Sequence, residues 1–510
     1  MTRLPLHVPL AGLVLTLLVT SPANSQEPSG PLDIESLVAR AAVHDAAIRA
    51  AELYERSALL GRRLLRAQVQ PQVTLGSPAN GGSFDWSRSD VSSTPASSSA
   101  SSTVQRRSMS LGARLGVSQS LPTDGLVTLG VQGSLQRRLL DGEEGFTQSV
   151  ALSAGLEQPL LTNGKIIDFA MFEAGQELAA EVPLRLARGA AEVARNDSLV
   201  AAVEAFLTVI ELRNQIRVLE MNIQTAGRRI EQLRLRAQQG TVTGRTVWDS
   251  EVTLDELRES RLEAEYALSQ TEFVVAGSVG VDSLDRFTDI SSAIPVLPGL
   301  SDEEEAVEAA LEHASIVRQA RIGVEQRRLQ QVVDGRRYAA TLSAQVTLAS
   351  PSNEEPFDTV GESYQELFSE DATWTPSVSL GLSVPVYTGN QALLRRMQNQ
   401  AAIDRSLIEL EEARRRVRRL VRGLYLLRRL LTDQLAARKS ALTLQRERLS
   451  ERETLAQLVS ITDLDLQEAV SVVAARENAV WKTEADLFLN GLRIFSATGM
   501  DLFQLFGVDQ

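Results

Sequence analysis

From Leu212 onward, apolar or small residues return in alternating steps of four and three: Ile216, Leu219, Ile223, Ala226, Ile230, Leu233 and Ala237. That spacing predicts a helix with a narrow coiled-coil seam, not the broad stripe of a globular helix. A less strict version runs through Val417, Leu420, Leu424, Leu427 and Leu431. A helix over residues 166–239 would be roughly 110 Å long at 1.5 Å per residue, longer than a compact domain core is thick. Residues 33–69 and 245–280 predict two shorter helices which, stacked end to end, could lie alongside it.

Between the helical segments the period changes to two, as in half-buried strands. Met109, Leu111, Ala113, Leu115 and Val117 alternate with Ser, Gly and Arg, and residues 121–125 (Leu-Pro-Thr-Asp-Gly) form a turn. Val127, Leu129, Val131 and Leu135 continue beyond it; Val150 to Leu156 and Leu342 to Leu348 repeat the alternation. The clearest case has Val378, Leu380, Leu382, Val384 and Val386 on one side and Thr375, Ser377, Ser379, Gly381 and Ser383 on the other. An apolar exterior over a small, polar interior suits a membrane barrel with a wet lumen, although a soluble sandwich alternates in the same way. Trp374 and Tyr387 lie near the two ends of this segment, where aromatic belts meet membrane interfaces.

The pattern is written twice. Gln-Val-Thr-Leu-Gly-Ser-Pro at 72–78 returns as Gln-Val-Thr-Leu-Ala-Ser-Pro at 345–351, and Pro-Leu-Leu-Thr-Asn-Gly at 159–164 returns as Pro-Val-Tyr-Thr-Gly-Asn at 385–390. Ala237-Gln238 matches Ala456-Gln457, and residues 279–282 match 498–501. Four matches in one order indicate two repeats, 26–290 and 291–510. The separation falls from 273 to 226 between the first two pairs, which places 47 extra residues in the first half. They include the Ser-rich tract 87–102, a flexible loop by composition.

Residues 1–25 carry Arg3, a short apolar core and a small-residue end, and so read as a cleavable secretory signal. No later run is long and uncharged enough to span a bilayer as a helix, so a membrane crossing would use strands. The absence of cysteine excludes disulfides, thiolate metal sites and a lipid-modified N-terminal Cys. A net charge of −13 argues against nucleic acid as partner. No GxSxG, Walker loop, HExxH or CxxC is present, so neither enzymatic activity nor a cofactor is expected. His44 and His313 occupy equivalent repeat positions, and since no carboxylate-plus-His cluster with ligand spacing accompanies them, repeat ancestry explains the pair better than a metal site. The six arginines in residues 414–422 read as a solvated or ion-paired helix flank. Gly240 separates two helical patterns, as a residue just past a helix end does.

With the strand that ends in residues 158–164, its partner at 384–390 and the terminal Ala497-Thr498-Gly499, the two halves resemble the TolC-like outer-membrane efflux proteins, or outer membrane factors. The resemblance covers essentially the whole mature chain. It implies an α+β membrane protein in the outer membrane: a homotrimer with one shared transmembrane β-barrel and a long coiled-coil α-helical barrel through the periplasm. Such a duct conducts substrates passively from an inner-membrane pump through a periplasmic adaptor, in tripartite efflux or type I secretion. Four strands per protomer are expected, and the extra hairpin at 122–125 opens the alternative of six. The helix-to-helix turns Gly240, Thr241, Val242, Thr243 and Val459, Ser460, Ile461, Thr462 would be adaptor-docking tips, the second lacking the glycine. Asp465 and Glu468 fall where such channels have an acidic ring at the periplasmic entrance; favourable placement at a helix N-terminus would also explain them. A periplasmic adaptor would have only one such hairpin, and a secreted coiled-coil structural protein would leave the strands unexplained. The substrate is left open.

Overall fold

The computed structural model describes residues 31–68, 70–76, 83–90, 103–121, 123, 125–140, 143–160, 169–284, 287, 289–300, 302–334, 340–349, 374–384, 389–458 and 463–507. The expected signal at 1–25, Tyr387 and the second tip at 459–462 lie outside them.

The helix expected over residues 33–69 is two helices, α1 (Ile34–His44) and α2 (Ala46–Gln68). Asp33 opens α1 in a capping box with Ser36. Asp45 divides the pair because its backbone is extended while its Oδ1 accepts from the Ala47 N–H at 2.8 Å and the Ile48 N–H at 3.2 Å. A short polar side chain that caps the next helix competes with continuing the first.

Strands β1 (Gln72–Gly76), β2 (Ser83–Asp90), β3 (Thr103–Ser120), β4 (Leu126–Leu140) and β5 (Glu143–Leu160) follow. Helix α3 (Phe169–Gln176) then runs through a π-helical turn at Glu177–Glu181 into α4 (Val182–Gln238). Pro183 has no N–H for the Ala179 carbonyl, and the π turn lies where that bond is missing. Helix α5 (Gly244–Val279) returns antiparallel to α4.

The remaining elements are α6 (Glu303–His313), α7 (Ser315–Asp334), β6 (Ala340–Ala349), β7 (Thr375–Ser383), α8 (Gln391–Leu458), α9 (Asp463–Ala497) and α10 (Leu502–Leu505). Ala314 breaks α6 from α7 with φ −57° and ψ 132°, as Asp45 breaks α1 from α2.

The sheet is antiparallel in the order β1-β3-β4-β5-β6-β7, with β2 following β1 along the same edge of β3. Among the described residues it therefore has seven strands and is six wide, because β1 and β2 share one edge of β3, so the expected four gives way to a wider sheet. The reason is non-local: β3 and β4 pair over their length from Arg106–Leu140 to Ser120–Leu126, so the extra hairpin belongs to the sheet. Ser87–Asp90, expected in a flexible loop, pairs with residues 103–106 as the end of β2. Composition reports low hydrophobicity, whereas a neighbouring edge can still satisfy the backbone.

Register aligns the residues of one face into rows. Val73, Val117, Leu129, Ala154, Val346 and Val378 form one; Leu75, Leu115, Val131, Leu152 and Leu348 form the next. The opposite face has Thr74, Gly116, Gly130, Ser153, Thr347 and Ser377 in register. Period two thus separates an apolar wall from a small, polar one.

The main core lies where α1, α4, α5, α9 and α10 meet, around Ile34, Leu37, Phe206, Val275, Leu492 and Phe503. A second cluster joins Ala306, Ala310 and Val317 of α6 and α7 to Val417, Val421 and Tyr425 of α8. The α4 seam residues from Ile216 to Ala237 are all buried or half-buried. On α8 the seam runs instead through Ile403, Leu410, Val417, Val421, Tyr425 and Leu431, while Leu420 and Leu427 are exposed. Several helical lines on α8 are apolar, and packing against α6, α7 and α9 selects among them. Among the described residues no helix is long and apolar enough to cross a membrane.

Candidate entrance and docking tips

Helix α4 ends in a motif that closes its backbone. Gly240, at φ 74°, donates its N–H to the Ala237 carbonyl at 3.0 Å, and the Thr241 N–H reaches the Arg236 carbonyl at 3.0 Å. This Schellman arrangement needs a residue that accepts left-handed φ, which glycine does without a Cβ penalty. Thr243 is extended and begins α5; its hydroxyl lies 3.0 Å from that of Thr246. Thr241 and Thr243 are exposed and Val242 is half-buried, so the tip presents two hydroxyls beside an apolar side chain. Arg234, one turn before the end of α4, and Glu251, two turns into α5, join the two helices at 2.5 Å.

Asp465 and Glu468 sit in the first two turns of α9, both exposed. Their i,i+3 spacing puts them on one face. Arg452 of α8 donates to the Asp465 carbonyl at 3.3 Å, and the Ser471 hydroxyl to that of Glu468 at 2.9 Å. Farther along α9, Val473 and Val480 pack with Leu442 of α8. Trp374 is half-buried and immediately precedes β7, at the end of the sheet away from the helices.

An antiparallel ion-pair ladder holds the α8–α9 hairpin. Lys439 meets Glu484 and Arg446 meets Glu477, each at 2.7 Å, with a step of seven on both helices. Inside the ladder, Arg438 Nη1 donates to the Ala479 carbonyl at 2.8 Å and to Thr483 Oγ1 at 2.5 Å. Heptad register could have revealed these pairs in the sequence. Nearby, burial pushes the Asp486 carboxyl above its ordinary pKa and Glu211 adds to it, against Lys482, Arg438 and Arg493.

Leu420, displaced from the seam, lines a groove of about 500 Å³ with Val417, Leu424 and residues of α4, α7 and α9. Of the arginines at 414–422, Arg414 pairs with Glu411 at 2.6 Å, while Arg422 lies 3.9 Å from Glu303. His44 and His313 are the last residues of α1 and α6. Among the described residues no group of three or more His, Asp or Glu could hold a metal ion.

No protein-family model and no curated relative matches the chain. Solved structures do. The outer membrane protein VceC of Vibrio cholerae superposes with a TM-score of 0.59 at 14% identity, over 92% of this chain and 96% of that one. The CmeC outer membrane channel of Campylobacter jejuni gives 0.60 at 10%, covering 91% and 85%. The open-state MtrE outer membrane channel of Neisseria gonorrhoeae gives 0.61 at 13%, covering 92% and 89%. The fold of this chain is therefore that of the TolC-like outer membrane channels.

Proposed function

We propose that the chain is one protomer of a trimeric outer-membrane exit duct, the passive channel of a tripartite efflux or type I secretion system. The observation that carries this reading is the open six-strand-wide sheet with one apolar wall. Unpaired backbone groups at sheet edges cost several kcal/mol each in lipid, so such a sheet must close. Eight strands barely leave room for side chains, whereas sixteen to eighteen enclose an aqueous channel. Six strands therefore favour closure with two further copies.

In this reading the two repeats place their helical hairpins in a periplasmic tunnel and the signal at 1–25 directs export. The tips at 240–243 and 459–462 meet a periplasmic adaptor, Asp465 and Glu468 ring the entrance, and an inner-membrane pump supplies the energy. Trp374 and Tyr387 mark the two membrane interfaces. The test is fractionation followed by crosslinking in mild detergent. Outer-membrane recovery that salt does not reverse, with crosslinking that stops at trimer, is expected; a soluble periplasmic monomer would sink the reading.

A further inference from the structure

The helices carry opposite charge at their two ends. Next to the sheet, residues 61–68 of α2, all of α3, residues 327–334 of α7 and residues 391–398 of α8 hold seven arginines against two carboxylates. At the hairpin ends, residues 231–238 of α4, 244–251 of α5, 451–458 of α8 and 463–470 of α9 hold four arginines against eight carboxylates. The whole chain has a net charge of −13, so overall composition does not account for the basic end.

One of the two carboxylates at that end, Asp334, is already paired with Arg395 at 3.1 Å. Arg66 meets Glu181 at 3.2 Å. Arg63, Arg327, Arg328 and Arg396 are exposed and make no ion pair among the described residues. Each lies within about 10 Å of its helix end at 1.5 Å per residue. Beside them Leu60, Leu64, Leu393, Leu394 and Met397 are each more than half exposed. Helix α2 ends just before β1, α7 just before β6, and α8 begins just after β7, so these arginines and apolar side chains lie close in the chain to the strands that carry the apolar rows.

We propose that this collar docks on phospholipid headgroups of the leaflet that the helices approach, with the four arginines taking lipid phosphates and the leucines and Met397 entering the acyl boundary. The proposal rests on the membrane reading above. The chemistry favours phosphate because the guanidinium fork matches it bidentately. Long side chains keep their charge at headgroup level while their stems cover apolar surface.

The test is native mass spectrometry of the full-length protein in detergent, titrated with phosphatidylglycerol or phosphatidylcholine of equal chain length. One or two of these arginines facing each anionic headgroup predict that phosphatidylglycerol is retained about tenfold more tightly. The R63Q/R327Q/R328Q/R396Q variant should lose that preference, and the matching Arg→Lys variant should recover part of it. Equal retention by the wild type, which requires no variant to fold, overturns the proposal, as does an unchanged preference in the Gln variant. Displacement of phosphatidylglycerol by equimolar inorganic phosphate would also overturn it by assigning a free-anion site. Failure of the membrane reading looks different: the wild type would be soluble without detergent, whereas failure of the collar leaves it in the membrane fraction without lipid preference.

Discussion

Gly280 lies so close to His44 that a β-carbon on the glycine would sit 2.6 Å from His44 Cγ. The end of α5 is thereby packed against the end of α1. Gly499, just past α9, is pressed in the same way against the His313 backbone at the end of α6. Both glycines have positive φ, 77° and 82°.

Gly280→Ala should therefore destabilise the helical part in two ways. Left-handed backbone costs a non-glycine residue about 1 kcal/mol, and the methyl must displace the His44 ring. Thermal unfolding followed by circular dichroism should shift to lower temperature. Gly227→Ala, in an α4 position with open space around it, should leave the transition in place or raise it slightly.

Asp334 gives a pH-dependent prediction. It is buried at the end of α7 and accepts from Gln330 at 3.0 Å, Asn399 at 3.0 Å and Arg395 at 3.1 Å. Burial acts to raise its pKa, but hydrogen bonds from Asn399 and Gln330 and the Arg395 charge outweigh it and hold the carboxyl below its ordinary 3.8. A depressed folded pKa contributes stability above the unfolded value that disappears as pH falls through the folded one. Asp334→Asn should thus lower the melting temperature at pH 7, and the gap to wild type should narrow below about pH 4. Melts across pH 3–7 check this.

The α8–α9 hairpin distinguishes exposed ion pairs from a buried hydrogen bond. Lys439→Met should cost less than about 1 kcal/mol, because exposed pairs contribute little. Arg438→Met should cost more, about 1–3 kcal/mol, since it removes a charged donor from Thr483, which is 1% exposed. Denaturant titrations of the two variants should rank them in that order.

Asp465 and Glu468 are to be tested by conductance. If three copies bring them together at a constriction, trivalent cations added on the hairpin side should block current in planar bilayers. The double Ala variant should lose the block and keep its trimer yield, because exposed carboxylates add little stability. Undiminished block would reject the entrance assignment and leave the channel architecture untouched.

The sequence by itself determined what has a short period. The alternation at 109–121 and 374–384 specified strands with two faces, and the four-three spacing on α4 gave a seam that the structure keeps through Ile230 and Ala237. Gly240 already identified the α4–α5 turn. These signals are local, because helix and strand place side chains at fixed repeats of 3.6 and 2. What only the tertiary structure decided is non-local. Sheet width depended on β3 finding β4 over its whole length, and Ser87–Asp90 became strand because an edge of β3 was there to pair with it. Val421 and Tyr425 displaced Leu420 and Leu427 from the α8 seam because α6 and α7 pack on that line. The arginines of α2 lie more than 250 residues from those of α7 and α8 in the chain, and only the return of the strands places all three helix ends beside one sheet.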